Sequence, residues 1–205
     1  MGPPANLRPL PRSFYDRSVL QVARDLLGCF VVAREVVVRL TEVEAYGGTD
    51  DPASHAFRGP TRRNAPMFGE AGHLYVYFTY GMHHCANVVA GRPGDASAVL
   101  LRAGQVVSGV DVVRKQRPQG AERDLARGPA LLAKALGLDL IGNGVDVTQR
   151  NDRLWLAAGR GAPNGDIAAG PRVGIRVATE LPWRFCLLGE ATVSQFRPAS
   201  PRTGR

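Results

Sequence analysis

The run VVVRLTEVEAY at residues 36–46 constrains the fold more than any other stretch, because its alternation suits a β-strand. On a period of two, Glu42, Glu44 and Tyr46 share one face of that strand. The strand runs into the segment TEVEAYGGTDDPASHAFR, residues 41–58, so Glu44 stands at the end of an apolar strand where the chain opens into a polar loop. A carboxylate pair on a strand is also the pattern of a plain solvated face, and the segments around it decide between the two readings.

Upstream, Ser18 can cap a helix whose apolar residues Val19, Leu20, Val22, Ala23, Leu26 and Leu27 lie on one side, and Gly28 stops it. CFVVA then precedes the long strand at hairpin spacing, across Arg34 and Glu35, so the two should pair antiparallel. Downstream, residues 47–72 are too rich in Gly, Pro, Asp, Asn and Arg for regular structure. A loop of that length in a compact domain is usually functional, and this one carries Arg58, Arg62 and Arg63. HLYVYFTY is the next strand, with Tyr75, Tyr77 and Thr79 facing one way and Val76, Phe78 and Tyr80 the other.

CANVVA and SAVLLRA are two further strands across the turn GRPGD, with Asn87 inside the first and Arg102 at the end of the second. Helices are predicted at residues 106–117 and 129–138. Beyond residue 139 come the strand-like pieces VDVT, LWLAA, RVGIRV and RFCLLG, separated by turns such as GRGAPNGDIAAG.

The chain's 205 residues fit a single domain with a well-buried core. The expected boundaries are a flexible arm over residues 1–11, the domain over 12–196 and a basic, disordered tail over 197–205. The formal net charge is +8 and only Lys115 and Lys134 are lysines, which points to an anionic partner without proving one. Cys29, Cys85 and Cys186 have neither CxxC spacing nor an even count, so they read as reduced, buried thiols of a cytoplasmic protein. No apolar run approaches the ~18 residues of a membrane span.

Glu44, Tyr46, His55, Tyr75, Tyr77, Tyr80, Asn87 and Arg102, with the loop arginines, could serve a flat ring: tyrosines stack on bases while arginines hold phosphates. Core packing is the competing reading for Tyr75 and Tyr77. His55, His73, His83 and His84 invite a metal reading. His83 and His84 point to opposite faces of a strand, however, and no HExxH, HxE or CxxC pattern supplies ligands, so no metal and no cofactor is expected. GxGxxG, P-loop and GxSxG patterns are missing as well.

In order along residues 12–189, TEVEAYGG, DPASHAFRG, TRRNAPMF, LYVYFTYGMHHCANVV, VLLRA, GPALLAKALGL and PRVGIR resemble the alkyladenine (3-methyladenine) DNA glycosylases. The resemblance implies an α+β domain with a mixed, mainly antiparallel curved sheet flanked by helices, like the formyltransferase C-terminal domain. It implies a monofunctional enzyme that flips a damaged purine out of double-stranded DNA and hydrolyses its glycosidic bond, working as a monomer at the nucleoid. Glu44 takes the place of the general base and Arg102 that of the arginine helping to hold the water. Tyr46, His55, Tyr77 and Asn87 match the pocket for the flipped base. Tyr80 matches the wedge that fills the vacated space, and Met82, Arg58, Arg62 and Arg63 are expected on the DNA. His83 departs from the pattern, standing where compared members carry an aromatic residue, which bears on wedge support and substrate range. A non-catalytic binder of damaged DNA, and an unrelated hydrolase or formyl-transferring enzyme on a related sheet, are the alternatives.

Overall fold

The computed structural model describes residues 6–79 and 81–199. Its helices and strands follow as α1 (Arg12–Tyr15), α2 (Val19–Leu26), β1 (Phe30–Ala33), β2 (Val36–Tyr46), β3 (Leu74–Thr79), β4 (His83–Ala90) and β5 (Ser97–Ser108). After these come α3 (Val110–Gln116), α4 (Pro129–Ala135), β6 (Trp155–Ala157), β7 (Ile167–Gly170) and β8 (Arg184–Leu187). The architecture is α+β in one domain. Every strand pairing among the described residues is antiparallel, so the parallel admixture expected of a mixed sheet is absent there.

Strand β2 is the axis of the sheet. β5 follows one edge along its whole length, while β1 covers the first half of the other edge (Phe30↔Arg39 to Ala33↔Val36) and β8 the second half (Glu42↔Cys186 to Glu44↔Arg184). β3 and β4 extend the sheet beyond β5. On one face Val43, Ala45, Leu74, Val76, Ala86, Val88, Val99 and Leu101 join the main core. Helix α2 covers that core with Val19, Val22, Ala23 and Leu26, an i, i+3, i+4, i+7 stripe in which each fully buried large side chain contributes roughly 1.5–3 kcal/mol. Ser18 begins the helix through its carbonyl, which accepts from the Val22 amide; its side chain makes no cap bond.

Four local expectations are corrected. Residues 106–108 continue β5 and are not helical, because β2 is long enough to pair Val38↔Val106 and Val37↔Ser108; the helix waits until Val110. RVGIRV is not a strand: Gly174 takes φ +74° and the Arg172 side chain is drawn inward. Conversely, Ile167–Gly170, inside a stretch expected to be turns, forms β7 by pairing with β8. VDVT contributes only an isolated bridge, His73↔Asp146.

Within the N-terminal arm, Leu10 is buried and its amide donates to Leu156 O, while at the start of the tail Arg197 O accepts from the Gly174 amide.

Candidate active site

One row of residues crosses the sheet in register: Tyr75 on β3, Asn87 on β4, Leu100 on β5, Glu44 on β2 and Arg184 on β8. Paired residues share a face, and this is the face opposite the main core. Tyr75, Asn87 and Leu100 floor a cavity of about 360 Å³, whose rim and walls include Tyr46, His55, Tyr77, Cys85, Arg102 and Val173. Glu44 lies just beneath, fully buried, held by three residues that line the cavity.

Those three are donors. The Val173 amide gives a 2.7 Å bond to Glu44 Oε1, and the Tyr46 hydroxyl gives a 2.9 Å bond to Oε2, which also lies 3.3 Å from Arg102 Nη1. Arg102 reaches it because of an irregular register. Opposite Glu42 the ladder jumps from Ala103 to Leu101, leaving Arg102 without a partner and re-aiming its side chain. The same region needs Gly104, where a Cβ would sit 2.4 Å from Val38 Cγ1 and 2.5 Å from Arg39 O.

Glu42 and Glu44, two residues apart, end in opposite electrostatic states. Both are fully buried, which by itself raises a carboxyl pKa. Glu42 Oε1 accepts from Arg102 Nε (2.9 Å), Arg184 Nε (2.7 Å) and Ser194 Oγ (2.9 Å), and Oε2 accepts from the Ser194 amide (2.6 Å). These outweigh burial and hold its pKa below the ordinary value. For Glu44 burial wins over Arg102, the Val173 amide and the Tyr46 hydroxyl, and its pKa is raised. The solvated-face reading of this pair is overturned: both carboxyls are fully buried, Glu42 with a lowered and Glu44 with a raised pKa.

Arg172 lies within the PRVGIR motif, where the resemblance implies no role for it. It is buried, bonds Asp51 through both guanidinium ends (Nη2 to Oδ1 at 2.9 Å), donates to Ala45 O, and lies over the Tyr46 and Trp183 rings at 4.7 and 5.2 Å. It therefore fixes the plane of Tyr46 and, being next in sequence, the position of the Val173 amide. An arginine between Pro171 and Val173 carries no local signal for a partner at Asp51, 121 positions away. Tyr75, one of the aromatic residues of the sequence pattern for which the resemblance implies no pocket role, is a floor residue, its ring stacked on Tyr77 at 5.5 Å.

His55 stands at the mouth, exposed on one side. Its Nδ1 is 3.0 Å from the Tyr75 hydroxyl, and its ring meets Tyr77 edge-on at 4.6 Å. Loss of water around the imidazole, and then Arg63, push its pKa down to about 4; the open side reduces the size of that shift but not its sign. Burial raises the Tyr77 pKa. Asn87 donates one amide proton to Tyr75 O at 3.0 Å, leaving its Oδ1 without a hydrogen bond among the described residues.

Arg58 and Arg63 line a neighbouring hollow with His55, and Arg62 is exposed outside both. Asn64 folds this loop by donating to His55 O and Gly59 O. Met82 is 68% exposed on the turn after β3. Tyr80 lies outside the described residues. Among those described, no group of three His, Cys, Asp or Glu side chains is arranged to hold a metal ion, and no helix is long and apolar enough to cross a membrane.

Residues 13–191 match the family described as methylpurine-DNA glycosylase (MPG). The chain belongs to that family. The matched span contains the whole wall of the 360 Å³ cavity. A protein of Frankia casuarinae is 53% identical over 214 residues, covering 100% of both chains. A Burkholderia lata protein is 48% identical over 90% of each, and one from Carboxydothermus hydrogenoformans is 46% identical over 91% of this chain and 98% of its own. All three are named "Putative 3-methyladenine DNA glycosylase".

Proposed function

We propose that this DNA glycosylase hydrolyses the N-glycosidic bond between a damaged purine and deoxyribose in double-stranded DNA. The observation carrying this reading is Glu44: a fully buried carboxylate with a raised pKa, held by three donors beneath an aromatic-walled cavity. A damaged base cannot present its glycosidic bond from within the stack, so it must be flipped out. At about 360 Å³ the cavity lies at the small end of the ~300–1,000 Å³ typical of small-molecule sites, which suits one base.

In the reaction a water sits between Glu44 and the sugar. As the bond from C1′ to the purine nitrogen breaks, its electron pair leaves with the base. The water oxygen bonds to C1′, and the proton released passes to the Glu44 carboxylate. Arg102, Tyr46 and the Val173 amide keep Glu44 ionised before that transfer, and its negative charge stabilises the cationic sugar. Alkylated purines that carry positive charge are favoured by the faces of Tyr46 and Tyr77. The exposed Arg58, Arg62 and Arg63 face DNA phosphates, Met82 and Tyr80 serve the gap in the stack, and no cofactor is required.

The test is incubation of the purified protein with duplex oligonucleotides carrying hypoxanthine, 1,N6-ethenoadenine or an alkylated purine, followed by alkali. Strand cleavage at the lesion is expected. Lesion-specific binding with no cleavage on any substrate would establish a non-catalytic binder instead.

A further inference from the structure

A second cavity, of about 350 Å³, adjoins the first, with Arg102 and Val173 in the walls of both. Its other charged wall residues are Arg127 and Arg197, Ser194 and Gln195 add polar groups, and no carboxylate lines it. Ser194, Gln195 and Arg197 lie beyond the residues that match the family.

The charges in this wall are unequally satisfied. Arg102 is committed to Glu42 and Glu44, and only its Nη2, 3.5 Å from Ser194 Oγ, turns aside from them. Arg127 spends Nε on Val193 O and Nη1 on Asp124, leaving Nη2 without a hydrogen bond among the described residues. Arg197 is exposed, and its guanidinium makes no ion pair among the described residues. A concave wall with one unpaired guanidinium and a second half-used one, on an otherwise basic chain, is built to take an anion.

A nucleotide carries its base at C1′ and its phosphodiesters at C3′ and C5′. Because the two cavities share Arg102 and Val173 beside Glu44, the second is the neighbouring place for a phosphate when C1′ lies over Glu44. We propose that the second cavity binds the phosphodiester next to the flipped nucleotide, through Arg197 and Arg127. The inference rests on the glycosylase reading. Arg197 fixes the register of the strand, while Glu44 and Arg102 act on the bond.

The test is a double-mutant cycle with duplexes carrying a non-hydrolysable abasic analogue and an uncharged methylphosphonate at either the 3′ or the 5′ linkage of that site. At one linkage, Arg197→Ala and the methylphosphonate should each weaken binding by roughly threefold to tenfold, and together by no more than either alone. Arg197→Ala should also reduce the slope of log K against log salt by about 0.9, one phosphate contact. Additive losses at both linkages, or an unchanged slope, overturn the phosphate site and leave a water-filled hollow. The two readings fail separately. Coupling without alkali-sensitive cleavage by the wild type refutes the glycosylase and keeps the site, and cleavage without coupling does the reverse.

Discussion

Arg172 and Asp51 form a two-point ion pair in which neither side chain has exposed surface, 121 positions apart in the chain. The pair ties the loop after β2 to the segment that carries the Val173 amide. Arg172→Met should destabilise the protein by about 3–5 kcal/mol, because the Asp51 charge is left buried and alone. Asp51→Asn combined with Arg172→Met should recover part of that loss in urea unfolding; strictly additive losses would show that the two residues act separately.

Asp51 also gives a pH dependence. Burial would raise its pKa, but Arg172 and the Gly47 and Ala53 amides outweigh it and the pKa is lowered. A depressed folded-state pKa means that the stabilisation is present above the unfolded-state value and is lost as pH falls through the folded-state one. Acid titration of wild type against Asp51→Asn should show the wild type losing stability more steeply below the ordinary carboxylate range.

Glu44→Gln should abolish excision while leaving affinity for a duplex with an abasic analogue close to wild type, since the amide keeps the shape but accepts no proton. The loss should reach at least the ~10²–10⁴-fold typical of removing a general base. An equal loss of binding would make Glu44 a structural residue.

The general-base role also predicts the acid limb of the rate profile. Activity requires ionised Glu44, whose pKa is raised, so the limb should lie above the usual carboxylate range. The Tyr46 hydroxyl lowers that pKa by bonding the ionised form. Tyr46→Phe should therefore move the limb to still higher pH in single-turnover excision. A limb that stays in place would remove Glu44 as the titrating group.

How much of this was legible in the sequence follows from the range of the interactions. The strand carrying Glu42, Glu44 and Tyr46, the hairpin before it and the face shared by Tyr75 and Tyr77 are set by alternation, a local property. Period two could place both glutamates on one face but not distinguish them, because the difference comes from Arg184 and Ser194, more than 140 positions away. β7 exists only because β8 lies beside it, and Ile167–Gly170 has too weak a local signal to reveal that. RVGIRV misled for the opposite reason: its apolar alternation suits a strand, but the Asp51 carboxylate holds Arg172 buried just before the turn at Val173 and Gly174.

Asn87 supplies the sharpest test of specificity. It borders the cavity beside Tyr75 and Leu100, one amide proton already given to Tyr75 O and its Oδ1 without a partner among the described residues. The glycosylase reading places it at the purine 2-position, where guanine carries an amino group and adenine and hypoxanthine do not. A side chain fitted against a bare C2–H clashes with that amine, and overpacking of this kind costs about 1–3 kcal/mol, or roughly tenfold or more in rate. Asn87→Ser should open the pocket and raise the release of mispaired guanine relative to hypoxanthine by about that factor in single-turnover excision. The same substitution removes the bond to Tyr75 O and should cost ~1 kcal/mol in urea unfolding. The two measurements separate the roles: lost stability with an unchanged guanine-to-hypoxanthine ratio would reduce Asn87 to a brace between β3 and β4.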